Sequence, residues 1–230
     1  MPLRYRYQTF EFGSEDIHLR TLRDTQQYND PDGKAHRLGI SAANWGLFGV
    51  VWDSSQILAR LMVDFEINGK RILELGCGMA LSSLLINRRG GNITATDYHP
   101  QAGIFLKKNT ELNEDADIPF FLADWEDRDN THKRFDLIIG SDVLYEPGQL
   151  APLAQFIEDH SEPICEVILV DPGRKQQGKF QREMSHFGFG HSKEAPVDIR
   201  FLDRLFTGSI LRFNRNWSSK AGAALVGSAI

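Results

Sequence analysis

The segment Arg71–Leu81, RILELGCGMAL, constrains this chain more than any other. Ile72, Leu73 and Leu75 form a short apolar run between turn formers, the pattern of a strand buried in a parallel sheet. Gly76 and Gly78 follow on either side of Cys77 and allow a tight turn where bare backbone can approach a ligand. Leu81, Leu84 and Leu85 then recur at helical spacing. Strand, glycine turn and helix N-terminus in that order make the nucleotide-binding corner of a doubly wound sheet. The dinucleotide fingerprint G-x-G-x-x-G is not met, because Leu81 stands where its third glycine belongs.

The rest of the chain repeats the strand–helix rhythm around that corner. With 230 residues it fits one α/β domain. Tyr5–Phe12, the Gly13-Ser14 turn and Ile17–Leu22 predict a small hairpin, and Asn29–Lys34 a loop. Asp53 and Gln56 predict a capping box for a helix whose apolar face is Ile57, Leu58, Leu61, Met62 and Phe65, closed at Asn68-Gly69. Strands are expected at Ile93–Thr96, Ile118–Leu122, Phe135–Gly140 and Val167–Val170. Helices are expected from Pro100 to about Leu112 with Ile104, Phe105 and Leu112 inward, around Leu150–Ile157, and near Gln176–Phe187. Two late strands are expected around Pro196–Phe201 and Leu205–Asn214. The fold class is therefore α/β: a doubly wound, mostly parallel sheet with a small N-terminal β-hairpin. We divide it into a hairpin extension at 1–38, a main domain at 39–217 and a frayed tail at 218–230.

Composition narrows the function classes. The net charge of -5 argues against non-specific nucleic-acid binding. No apolar run approaches membrane-spanning length and the N-terminus MPLRYRYQTF has no signal core, so no membrane role and a cytoplasmic location are expected. Cys77 and Cys165 lack the histidine pattern of a zinc site and read as buried filler in a reducing compartment; no metal is expected.

In such a sheet the ligand lies outside the carboxyl ends of the strands, and the polar clusters fall there: Glu74–Gly78, Asp97, Asp124-Trp125, Ser141–Tyr145 and Asp171–Arg174. Asp97 lies about twenty residues beyond the glycines, where an acid accepts from ribose hydroxyls. Asp124 can accept from an exocyclic amine, and Trp125 offers a face for adenine.

Glu74-Leu75-Gly76-Cys77-Gly78 resembles motif I, E/D-x-G-x-G, of the class I S-adenosylmethionine (SAM) methyltransferases. Together with Val51-Trp52-Asp53, Thr96-Asp97-Tyr98, Ala123-Asp124-Trp125 and Ser141-Asp142-Val143-Leu144-Tyr145, the pattern is similar to the family 16 methyltransferases. These are seven-β-strand enzymes that include protein-lysine methyltransferases. The likeness spans roughly Gly39 to Arg174. It implies a seven-stranded Rossmann-like sheet and a SAM pocket lined by Trp52, Glu74, Gly76, Cys77, Gly78, Asp97, Tyr98, Asp124, Trp125 and Ser141. Asp142 and Tyr145 would be the catalytic pair facing the target amine, with S-adenosylhomocysteine (SAH) as product.

Two departures stand out: Ala80 replaces a motif-I glycine, and Ser141–Tyr145 lacks the Pro-Pro of enzymes that methylate bases or glutamine. The expected activity is methyl transfer to a protein amine, lysine foremost, by a monomer acting on an unidentified protein. A small-molecule or RNA methyltransferase, with Arg174, Lys175, Lys179 and Arg182 able to meet phosphate, is the alternative, and a non-catalytic SAM-binding module the third reading.

Overall fold

The computed structural model describes residues 3–126 and 133–215. Strands β1 (Tyr5–Phe12) and β2 (Glu15–Leu22) form the antiparallel hairpin, paired throughout from Tyr5↔Leu22 to Phe12↔Glu15. After a four-residue turn of helix, α1 (Lys34–Arg37), come α2 (Asp53–Leu61), β3 (Arg71–Leu75), α3 (Leu81–Arg88), β4 (Asn92–Asp97) and α4 (Ala102–Leu112). Then follow β5 (Phe120–Leu122), β6 (Phe135–Ser141), α5 (Leu150–His160), β7 (Ser161–Asp171), α6 (Gln177–His186), β8 (Gly190–Glu194) and β9 (Ser209–Arg215). The main sheet has seven strands in the order β5-β4-β3-β6-β7-β9-β8. β9 runs antiparallel between β7 and β8, while the other five strands are parallel. The expected tail at 218–230 lies outside the described residues.

Side chains alternate across a strand, so each central strand feeds two apolar layers. Ile72, Leu137, Ile139, Ile168 and Val170 pack on one face with Leu58, Leu84 and Phe105 of α2, α3 and α4. Leu73, Leu75, Ile138, Val167 and Leu169 pack on the other with Leu153, Phe156, Phe180 and Met184 of α5 and α6. The hairpin adds Phe12, Ile17, Leu19 and Leu22 to the first layer. It is fastened to α4 by the backbone N–H groups of His18 and Arg20, which donate to Asn113 and Asn109 at 2.8 Å each.

Three local expectations are corrected. Asp53 does not cap α2: Trp52 holds that position without a side-chain bond, and the Asp53 carboxylate instead accepts from Arg204 Nε at 2.6 Å. On α4 only Phe105 of the expected inward trio is buried, since Ile104 is 47% and Leu112 39% exposed. Leu106, Asn109 and Thr110 take the inner face, the asparagine because it is needed by the hairpin backbone. The first late strand is Gly190–Glu194 rather than Pro196–Phe201. The later segment carries apolar Ile199, Phe201 and Leu202 because it folds back onto the first layer, not because it pairs.

Ala80, in place of the motif-I glycine, sits at φ 57°, the left-handed region that costs a non-glycine residue about 1–2 kcal/mol. Ala80→Gly is therefore expected to raise stability by about 1 kcal/mol, or roughly 2–4 °C in Tm. A lower midpoint would show that the fully buried methyl group contributes more than the strain removes.

Candidate active site

The carboxyl ends of β3, β4, β5, β6 and β7 carry the expected polar clusters to one edge of the sheet, and contacts connect them. At the end of β3 the glycine turn has φ 55° at Gly76 and φ 52° at Gly78. A Cβ at Gly76 would lie 3.1 Å from Val143 Cγ1, and one at Gly78 would lie 3.2 Å from the Phe48 carbonyl oxygen. The turn is thus pressed between the loop after β6 and the segment before α2, and both the angle and the close neighbours favour glycine.

Asp97 organises the corner. Its Oδ2 accepts from the Gly78 N–H at 2.8 Å and its Oδ1 from the His99 N–H at 2.7 Å, so one carboxylate ties the end of β4 to the glycine turn. Burial lifts its pKa, while these backbone donors oppose the rise. His99 is itself buried, stacked 4.1 Å from the Phe48 ring, and burial pulls its imidazole down to about 4, so it is neutral at physiological pH. Tyr98 reaches back to donate to the Leu38 carbonyl, and its phenol is raised by burial and then by Asp124 and Glu126, which places it facing the end of β5. Asp124 accepts from the Glu126 N–H at 3.0 Å, and Trp125 packs half-buried on the second apolar layer.

Glu74 has a different surrounding from its neighbours. Strand alternation turns it to the same face as Ile72, under α3, where it is 2% exposed. Its Oε2 accepts from the Ser83 N–H at 3.0 Å and from the Ser83 hydroxyl. Burial pushes the carboxyl up to about 7, with Asp97 adding to the rise and the Ser83 bonds opposing it. Because the folded pKa lies above the unfolded one, this group favours folding most at low pH. That contribution is lost as pH rises towards 7, by at most about 3.5 kcal/mol. Glu74→Gln is expected to remove this part of the fall in Tm between about pH 5 and pH 7.5. Parallel declines in the two proteins would show that Glu74 ionises normally.

Trp52, Asp53, Asp142, Arg174, Arg204 and Phe206 border a cleft of about 390 Å³. The Trp52 indole is fixed by a 3.1 Å bond from its Nε1 to the Leu47 carbonyl. Ser141 ends β6, and Asp142 follows at φ 53°, its N–H donating to the Val170 carbonyl at 2.9 Å. Tyr145 is 50% exposed. Its phenol is pushed up to about 12 by desolvation and by Glu146, Asp97 and Asp142, with Arg174 opposing, so it feels the corner and the cleft together. Cys77 is buried and its thiol raised well above the ordinary value, so it fills the turn rather than reacting.

The ten residues expected around the cofactor thus divide. Gly76, Gly78, Asp97, Tyr98, Asp124, Trp125 and Ser141 gather at the strand ends, whereas Trp52, on the segment before α2, borders the cleft with Asp142 instead. Glu74 and Cys77 support the turn from beneath. The sequence reading missed two partners: Arg174, which binds Asp142, and Arg204, which binds Asp53 across 151 positions. Arg174 was visible in the polar cluster after β7 and in a basic run, without its partner, and nothing in the pattern tied Arg204 to α2.

This is the Rossmann-like fold of the seven-strand methyltransferases. It superposes with a TM-score of 0.63 on the T. thermophilus 16S rRNA N2 G1207 methyltransferase RsmC, at 14% identity, covering 94% of this chain and 52% of that one. The chain belongs to the lysine methyltransferase family, whose model matches residues 36–187. It is 26% identical over 141 residues to EEF1A lysine methyltransferase 3 of Xenopus tropicalis, covering 59% of this chain and 62% of that protein. It is 30% identical over 145 residues to protein N-lysine methyltransferase METTL21A of Danio rerio, covering 58% and 66%. The chain thus spans somewhat less than two thirds of the length of these curated relatives.

The corner fits an adenosyl ligand on its own geometry. Two left-handed glycines leave the backbone of the turn without side chains, and Asp97 presents a carboxylate held by two backbone donors. The polar Asp124 and the flat Trp125 stand at the adjoining strand end. Among the described residues no helix is long and apolar enough to cross a membrane.

Proposed function

We propose that the protein is a SAM-dependent N-methyltransferase that transfers a methyl group to the side-chain amine of a lysine in another protein. Residues 39–217 carry the chemistry, and the hairpin at 1–38 is an extension packed on it. The observation that carries the reading is the adjacency of two differently built halves. A glycine turn tied to Asp97 lies beside a cleft walled by Trp52 and Asp142, and Tyr145 senses both.

Gly76, Gly78, Asp97, Tyr98, Asp124, Trp125 and Ser141 would hold SAM, which when bound supplies an electrophilic methyl group on a sulfonium. The protein's own residues must then align the acceptor and allow it to shed a proton. A lysine ammonium, with an ordinary pKa near ~10.4, has no free lone pair until it does. Asp142 attracts the amine to the end of β6, and the neutral Tyr145 phenol offers it a hydroxyl and a ring face. Alignment of this kind contributes up to about 7–11 kcal/mol in well-oriented systems, more than any single acid or base group here.

Arg174 and Arg204, the two arginines that border the cleft, are each matched by a carboxylate, Asp142 and Asp53, and this balance of charge supports a protein acceptor over RNA. Two buried free cysteines support a reducing, cytoplasmic setting. Incubation with methyl-labelled SAM and a cell lysate tests the reading. Label in a protein band that is recovered as methyl-lysine supports it. Label confined to RNA or small molecules, or none despite measured SAH binding, overturns it.

A further inference from the structure

The carboxylate expected to receive the acceptor amine already has a partner. Arg174 Nε donates to Asp142 Oδ1 at 2.7 Å and Arg174 Nη2 to Oδ2 at 2.6 Å, a two-pronged pair that satisfies both oxygens. The backbone is bent to make this pair. Asp142 stands at φ 53°, and Gly173 and Lys175, on either side of Arg174, stand at φ 104° and φ 63°. Buried Asp171 pins the same segment by accepting from the Gly173 N–H at 3.0 Å and from Gln177 Nε2 at 2.6 Å. Three left-handed positions and a buried anchor around one ion pair mark an arrangement with a task. The guanidinium is 45% exposed and Asp142 only 14%, so the arginine can withdraw into solvent while the carboxylate stays.

We propose that Arg174 is a positioning residue that masks Asp142, so that the acceptor amine competes for the carboxylate and is not trapped there as its ammonium. This rests on the reading above that Asp142 receives the amine. A bare carboxylate in the cleft would bind the ammonium tightly and hold its proton. A carboxylate shared with a permanent cation binds it less tightly and lets the proton pass to water at lower pH. The charged groups facing the amine's position are Asp142 and Arg174 from the strand ends and Asp53 and Arg204 across the cleft. Tyr145, with Glu146 and Asp97 behind it, completes the surroundings. Asp53 is already matched by Arg204, which leaves the Asp142–Arg174 pair to set the balance.

The probe is a peptide pool with one fixed lysine and randomised flanks, used with Arg174→Gln and Arg174→Lys. In the SAH complex, Arg174→Gln should bind the pool about three- to tenfold more tightly, measured by calorimetry at pH 7.5. With labelled SAM its KM should fall, its kcat at neutral pH should fall, and the rising limb of kcat against pH should move up by roughly half a unit to one unit. Arg174→Lys keeps the charge and should restore the wild-type limb in part. A purely structural Arg174 would lower kcat/KM at every pH without moving the limb, and that result overturns the proposal. So does loss of SAH binding in Arg174→Gln, which would assign the arginine to the cofactor. If neither wild type nor variants bind or label the pool while SAH binds, the lysine-acceptor reading fails and takes this inference with it. An unchanged pH limb in a pool that is labelled defeats this inference alone.

Discussion

Asp142→Asn is expected to reduce methyl transfer by at least about a hundredfold while leaving SAH affinity within about twofold. Asparagine is the informative substitution here. It tolerates the φ of 53° at this position better than alanine does, so the loop after β6 keeps its path while the charge is lost. Arg174 loses its partner, but its guanidinium is 45% exposed, so water can take over the lost bonds and the fold should lose little. A large loss of rate with an unchanged melting midpoint therefore reports on the acceptor and not on folding. Initial rates with labelled SAM, together with calorimetry using SAH, separate the two halves of the site. Collapse of SAH binding in Asp142→Asn would move this residue to the cofactor side. A rate within threefold of wild type would remove it from the chemistry.

How much of this could be read from the chain depends on how local each feature is. The glycine turn was legible because Gly76 and Gly78 need left-handed angles that few other residues accept, and a short apolar strand before them fixes what they connect. The parallel core was legible because β3, β6 and β7 are buried on both faces and so read as continuous apolar runs. The late antiparallel strands were harder. β8 is an exposed edge with the sequence GHSKE, which carries no apolar period, while the unpaired segment after it carries one because it packs on the core. The inner face of α4 was misread for a similar reason: Asn109 is buried to bond the hairpin backbone, a demand from a segment 89 residues earlier.

In the site itself, residue type and strand end made Asp97 and Trp125 candidates, and the family resemblance added Asp142. Neither was enough to say which oxygen bonds to what. Glu74 illustrates the limit. An acid ahead of the glycines reads as a ligand group, yet period-two alternation turns it to the Ile72 face, where Ser83 is its partner. Arg174 is the converse case. Its place after β7 was visible, but the pairing with Asp142 joins two loops 32 residues apart and follows from sheet order rather than from spacing.

Asp97 carries the second large effect. Asp97→Asn should weaken SAH binding by about ten- to a hundredfold, or roughly 1.4–2.8 kcal/mol. The carboxylate serves two tasks, and the substitution separates them. Oδ1 and Oδ2 each accept one backbone N–H, from His99 and Gly78, which leaves further acceptor capacity facing the corner for a pair of ribose hydroxyls. An asparagine can replace only one of the backbone bonds, and its amide then points a donor at the other N–H. The glycine turn should loosen as well, so Tm should fall by several degrees for the loss of about 1–2 kcal/mol. Gly78→Ala isolates that second contribution. Its methyl group would meet the Phe48 carbonyl at 3.2 Å and its φ of 52° disfavours alanine, so it disturbs the turn while keeping the carboxylate. If Asp97 binds the ligand directly, Asp97→Asn loses more SAH affinity than Gly78→Ala at equal loss of stability. Equal losses would mean that Asp97 acts only by holding the turn, and unchanged affinity in both would place the adenosyl group elsewhere.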